Sequence, residues 1–255
     1  MITKITSSKN EKYKYFKSLK QKKFRTEEYT VEGKKSVLEA INSGRKVTAI
    51  IMSENFAADA SFPSLPCYVV PDSLFAGLSS TDTPSGIMCT IQIEKTKHFS
   101  PDPQKAYIYC DRISDPGNLG TIIRTADAAG FGGVLLSPGC VELYNPKTVR
   151  SSMGSFFRTA TAENITVQNL AEYKKLGFQI LSGVLTENSV DYTAPDMTLP
   201  SIIVIGNESN GVSAETTAIS DYCIKIPIEG CAESLNAAIA AAVIMYEVLR
   251  QRKNI

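Results

Sequence analysis

The stretch SIIVIGNESNG, residues 201–211, decides the fold. Ser201 to Ile205 run without polar alternation, the pattern of a strand covered by helices on both faces, as parallel sheets require. Gly206, Asn207 and Glu208 follow at once. In open α/β sheets ligands bind beyond the carboxyl ends of strands, and a glycine there lets backbone approach a bound molecule. The same kind of apolar run recurs in AYIYCDR (106–112), GGVLLSP (132–138), GFQILSGVL (177–185) and DYCIKIPI (221–228). Between the first two lies DPGNLGTIIRTADAAGFGG (115–133), a small apolar helix that carries Arg124. A last helix is expected from Ser234 to Arg252, and its stretch AAIAAAVIMY (237–246) is apolar nearly all round, so it must be buried on several sides.

The chain before residue 95 reads as a separate, smaller α/β unit. A helix is expected near Asn10–Lys20, then YTVEG, the helix KKSVLEAINSG, the strands VTAIIMS and LPCYVV, a short helix around Leu74, and SGIMCTIQI. EKTKHFSPDPQK (94–105) breaks the periodicity with two prolines, which places a linker near 95–105 and domains at 1–97 and 98–255.

Composition narrows the chemistry. The 255 residues are 43% hydrophobic, enough to fill real cores. No apolar run reaches the roughly 18–20 residues of a bilayer span, and the start lacks a secretory apolar stretch, so a cytoplasmic protein is expected. The six cysteines are scattered without a CxxC pair, which suggests neither a disulfide frame nor a zinc site. His98 is the sole histidine, which argues against Ser-His-Asp relays and His-based metal sites. Neither a GxxxxGK[ST] nor a GxGxxG loop occurs. The net charge of +1 hides an asymmetry: residues 1–46 hold 13 Lys/Arg against 5 Asp/Glu. Lysines interleaved with Tyr13, Tyr15 and Phe16 suit either a solvated helix face or a surface that grips phosphates and stacks on bases.

What remains for chemistry is Asn, Gly, Ser, Glu and Arg at strand ends, in three clusters. They are Asn118, Gly120 and Arg124; Gly206, Asn207, Glu208 and Gly211; and IPIEGCAESLNAAIA (226–240), with Pro227, Ser234, Leu235 and Asn236. Singly, each has an ordinary reading: Ser234 or Asn236 as a helix cap, Gly206 as a turn, Glu208 as surface.

Together, NLGTIIRTA (118–126), IVIGNESNGVS (203–213) and IPIEGCAESLNAAIA resemble, in order and character, the three motifs of the SpoU (TrmH-like) RNA methyltransferases of the SPOUT superfamily. The resemblance covers the whole chain. The lysine-rich start is similar to the small substrate-binding domain of ribosomal-protein (L30e-like) type that precedes the catalytic domain in many members. NPKTVRSSMGSFFR (145–158) is similar to the loop after the family's second catalytic strand. The third motif departs from the usual SLNVSVA, placing Ala238 where a serine is common.

The resemblance implies an α/β fold: a C-terminal SPOUT domain with a mostly parallel sheet and a deep C-terminal trefoil knot. It implies S-adenosylmethionine as cofactor, methyl transfer to a ribose 2′-hydroxyl of structured RNA, most of all ribosomal RNA, no metal, and a homodimer. Carried onto this chain, the catalytic group is Arg124, Asn118, Glu208, Ser234 and Asn236, with Asn118 holding Arg124. The cofactor would meet Gly183, Gly206, Asn207, Ile226, Ile228, Leu235 and Asn236. RNA would meet Lys9, Lys22, Lys23, Arg25, Lys34, Lys147, Arg150 and Arg158. A tRNA ribose methyltransferase and a noncatalytic RNA-binding assembly factor are the competing expectations.

Overall fold

A computed structural model of the chain describes residues 2–57, 62, 65–94 and 99–253. Two compact units divide it, one taking Met1–Lys95 with Tyr144–Phe157, the other Thr96–Leu143 with Arg158–Ile255. Residues 95–98, which hold the expected boundary and His98, lie outside the described residues.

The first unit is built on strands β1 (Ile2–Lys4), β2 (Glu28–Glu32), β3 (Val47–Ser53), β4 (Cys67–Val70) and β5 (Ile87–Gln92), in the order β1-β4-β3-β5-β2. β1, β4 and β3 run parallel, whereas β5 is antiparallel to β3 and β2. Helices α1 (Glu11–Ser18), α2 (Lys34–Asn42), α3 (Glu54–Ala57) and α4 (Asp72–Leu78) connect them. Asn10 starts α1, its side chain accepting from Lys12 N at 2.9 Å and Tyr13 N at 3.4 Å. Tyr13 and Phe16, three apart and so on one face, enter the core with Ile5, Ile51, Val70 and Phe75. Both are 3% exposed, which removes them from the base-stacking surface suggested by sequence. Tyr15 stays outside, its hydroxyl donating to Glu28.

In the second unit every strand pairing is parallel. Its strands are β6 (Ala106–Asp111), β7 (Gly133–Leu136), β8 (Thr161–Ala162), β9 (Gln179–Gly183), β10 (Val190–Asp191), β11 (Ser201–Gly206) and β12 (Tyr222–Lys225), in the order β10-β12-β9-β11-β6-β7-β8. The central pair is buried on both faces, as the apolar runs require. One face packs Tyr107, Tyr109, Ile202 and Val204 against Leu170 and Tyr173. α5 (Pro116–Ala128) packs on the final helix, which itself packs on β11. α6 (Pro146–Ser151) lies in the segment assigned to the first unit; α7 (Val167–Lys175) and α8 (Ala214–Ala218) complete the second before the final helix, α9 (Ala237–Lys253).

Three features depart from expectation. α9 begins at Ala237, not Ser234, because Asn236 caps it: its side-chain oxygen accepts from Ala238 N at 2.9 Å and Ile239 N at 3.3 Å. The segment 144–157, expected as a loop of the catalytic half, contains α6 and a 3₁₀ turn at Ser155–Phe157, and belongs to the first unit. There Tyr29 meets Tyr144 at 4.8 Å and Phe156 at 5.8 Å between ring centroids. α7, unforeseen, carries a capping box between Thr166 and Asn169.

From β6 the chain proceeds outward through β7 and β8, whereas β11 and β9 lie on its other side. The order therefore reverses between β6 and β11, which makes their carboxyl ends a topological switch point, the favoured ligand crevice of open α/β sheets. The two strands end flush, Gly206 opposite Asp111. Beyond Gly206 the chain folds back so closely that a Cβ there would overlap main-chain atoms of Gly211 and Val212. Gly206→Ala is accordingly expected to cost about 1–3 kcal/mol, the usual scale of overpacking, read as a lowered midpoint in urea denaturation.

Candidate active site

The loop after β11 is held as a tight return. Asn207 and Gly211 exchange backbone hydrogen bonds of 3.0 and 2.9 Å, with Gly211 at φ +65°. The Asn207 side chain accepts from Ser209 N and Asn210 N at 3.0 and 3.1 Å, and donates to the Arg112 carbonyl at 2.8 Å. Buried Asp111, at the end of β6, accepts from Ser213 N at 2.7 Å. The loop is thus pinned to the β6 end at both sides, leaving Glu208 to project toward the start of α5.

Glu208 meets a cluster of donors there. One carboxylate oxygen accepts from Ser114 N at 3.1 Å and Ser114 Oγ at 2.7 Å, the other from Asp115 N at 3.2 Å and Asn118 Nδ2 at 2.8 Å. Partial desolvation pushes its pKa up, but the bonds from Asn118 and Ser114 outweigh it and pull the group down from 4.5 to about 2. A carboxylate so committed to donors is a weak proton acceptor at neutral pH and serves to orient its partners.

Asn118 carries that order onward. Its Nδ2 serves Glu208, so its Oδ1 is left to accept from Asn236 Nδ2 at 3.0 Å, and Asn236 Oδ1 in turn caps α9. An ionised carboxylate can only accept, which fixes both amide orientations along the chain Glu208–Asn118–Asn236. Three sequence clusters therefore meet at the switch point. The helix-cap reading and the functional reading of Asn236 hold together, each using a different end of the amide. Ser114 and Asp115, absent from the sequence-derived set, contribute three of the bonds on Glu208, beside those from Asn118 and, at 3.4 Å, Asn207 Nδ2; neither residue type carries a signal of that role.

Arg124 does not join this network. It lies six residues beyond Asn118, about 9 Å along α5 and roughly 120° round it, exposed and, among the described residues, without an ion pair. The Asn118 amide, already engaged at both ends, does not hold it. Gly183 and Gly206 end the neighbouring strands β9 and β11, and Ile226 and Ile228, both half-buried, follow β12 on the other side of β9. Ser234 and Leu235 are exposed just before α9. Among the described residues, no backbone hydrogen bond within the protein involves residues 226–235.

The basic residues sort less uniformly. Lys9, Lys22, Lys23 and Lys34 are exposed on the first unit, as are Lys147 and Arg150. Arg25, by contrast, is 7% exposed and donates to the Leu19 carbonyl at 2.7 Å, so it fastens the end of α1 and is not a phosphate contact. Arg158, on the second unit, pairs with Asp127 at 2.9 Å. Among the described residues there is no His/Cys/Asp/Glu group that could hold a metal, and all six cysteines are free.

Residues 105–246 match the SpoU rRNA Methylase family, and residues 10–89 an MRM3-like substrate binding domain. The chain belongs to the SpoU rRNA methylase family. It is 33% identical, over 97% of its length and 99% of the relative's, to the 23S rRNA (guanosine(2553)-2'-O)-methyltransferase RlmP of Bacillus subtilis. The crystal structure of an AdoMet-bound rRNA methyltransferase from Sinorhizobium meliloti superposes with a TM-score of 0.87 at 30% identity, covering 98% of both chains. A tRNA (guanosine(18)-2'-O)-methyltransferase of Aquifex aeolicus is 35% identical, over 57% of this chain and 69% of its own.

The depressed Glu208 carboxylate has a signed consequence. Its folded pKa lies below the unfolded value, so its contribution to stability is complete above about pH 4.5 and is lost as the pH falls through about 2. Glu208→Gln turns one acceptor into a donor facing donors. The variant is expected to unfold at lower urea than the parent at pH 7, with the gap closing toward pH 2; urea titrations across that range measure it.

Proposed function

We infer that this protein transfers the methyl group of S-adenosylmethionine to a ribose 2′-hydroxyl of ribosomal RNA. The observation that carries the reading is the Glu208–Asn118–Asn236 chain at the switch point, beside strand ends that offer free backbone. An adenine and ribose need several main-chain donors and acceptors at close approach. The ends of β9 and β11 and the segment 226–235 provide them, so the residues suit the cofactor: Gly183, Gly206, Asn207, Ile226, Ile228 and Leu235 around the nucleoside, Asn236 at the methionine end.

The bound cofactor supplies a sulfonium methyl, already electrophilic, so no metal or covalent nucleophile is required. The protein's own work is alignment and charge control. Ser234 and Asn236 place the ribose, and Glu208 holds Asn118 and thereby Asn236 in one orientation. With the cofactor bound, its sulfonium would supply the methyl group to the 2′-oxygen that Ser234 and Asn236 hold in line, and the hydroxyl proton would pass to water. Arg124 acts as a fixed cation that positions the nucleotide phosphate and steadies the developing negative charge; guanidinium groups keep their proton, so it does not act as the base.

The reading extends to the assembly. A boundary near 97/98, with residues 144–157 completing the first domain, and a knotted second domain working as a cytoplasmic homodimer form part of it. α9 supports the dimer: Ile239 and Tyr246, two turns apart, are 51% and 52% exposed on one stripe of a helix whose first ten residues are apolar. Ribosomal RNA is favoured over tRNA because the likeness to the rRNA enzyme spans both units, whereas that to the tRNA enzyme spans 57% of the chain. Lys9, Lys22, Lys23, Lys34, Lys147, Arg150 and Arg158 supply the phosphate contacts, with Arg158 exchanging Asp127 for RNA.

Ribose-methylation mapping of rRNA and tRNA from a strain lacking the protein is expected to show one 23S position unmodified and tRNA unchanged; loss confined to tRNA, or no loss, overturns the reading. Arg124→Lys, which keeps charge but not the planar fork, is expected to lower kcat about 10²- to 10³-fold while calorimetry shows S-adenosylmethionine binding unchanged. In sedimentation the parent is expected as a dimer and the double variant Ile239→Asp/Tyr246→Asp as a monomer.

A further inference from the structure

The first unit exposes an aromatic ring that its core does not use. Phe24 sits at the end of a 3₁₀ turn, Lys22–Phe24, and is 46% exposed. Among the described residues it makes no ring contact with another aromatic, while the Lys23 ammonium lies 4.9 Å from its centroid. The turn is well fixed. Phe24 N donates to Gln21 O and Arg25 N to Lys22 O, each at 3.0 Å, and the next side chain, Arg25, is buried and anchored to the Leu19 carbonyl. Arg25 turned inward leaves Phe24 turned outward.

Its sequence neighbours are mainly cationic. Residues 4–25 contain eight lysines and one carboxylate, Glu11, which pairs with Lys14, before Glu27 and Glu28 follow. A rigid apolar ring in a field of ammonium groups is poorly suited to a protein core docking on it, which would have to desolvate those charges. It is well suited to a polymer whose units join a flat π-face to a phosphate, since the ring takes the base and the lysines take the backbone.

We propose that Phe24 is a stacking platform for an unpaired base of the RNA substrate, with Lys22 and Lys23 holding the phosphates that flank it. This rests on the RNA-methylation reading and deepens it: the first unit recognises a single-stranded stretch or loop, where bases are free to stack, and not a regular duplex, whose bases are occupied.

The test exploits the absence of tryptophan from the chain. Phe24→Trp introduces the sole indole at the proposed platform, on an exposed position that tolerates it. The full-length parent, Phe24→Trp, Phe24→Tyr and Phe24→Leu are titrated with a fluorescein-labelled mixed-sequence single-stranded RNA and with a fully paired duplex. Anisotropy follows binding, and unlabelled RNA is used for indole emission. Expected are quenching of the indole by single-stranded RNA alone, affinities within about twofold of the parent for Tyr and Trp, and a roughly 5- to 100-fold loss for Leu, the range of one base–aromatic stack. Duplex binding should be equal in all four. If single-stranded RNA binds the Leu variant as tightly as the parent, or leaves the indole unquenched at saturation, the platform is wrong while the RNA reading stands. If no form binds either RNA, both fall.

Discussion

An ionised carboxylate can accept hydrogen bonds and cannot donate one, and the order of the candidate site follows from that asymmetry. Glu208, placed by the return of the chain over Gly206, faces Ser114, Asp115 and Asn118 as donors. Asn118 is thereby forced to present its oxygen to Asn236, and Asn236 its own oxygen to the first turn of α9. Three segments far apart in sequence acquire one polarity. Such partly exposed bonds add little to stability singly, but they choose between two otherwise equivalent amide orientations, which stability alone would not do.

The fold beneath is of the kind that can present such a chain. A sheet with all strands parallel gathers its strand ends on one edge, and the reversal of order between β6 and β11 opens a gap there. The residues that fill the gap come from the loops after these strands, free to carry polar chemistry because the buried strands carry the core.

The catalytic half was largely legible. Its strands announce themselves as apolar runs, and the cluster of Asn118, Glu208 and Asn236 could be drawn from motif order. Other parts were hidden for identifiable reasons. Arg25 looks like a phosphate contact because sequence records its charge but not the open carbonyl of Leu19 that it satisfies. Tyr13 and Phe16 share a helix face, so spacing alone could have buried them. Ser114 acts mainly through a backbone amide and a small hydroxyl, neither of which leaves a pattern. Arg124 was expected beside Asn118, yet helical geometry puts it on a different side of α5.

The segment Tyr144–Phe157 changes what a domain means in this chain. Its rings complete the packing around Tyr29, although in sequence it is flanked on both sides by the second unit. The substrate-binding half is therefore discontinuous, closed by an insertion that its neighbour donates. A gene fragment ending at the interdomain linker would encode an unfinished core, and any exchange of this half between relatives has to carry two pieces of the chain in concert.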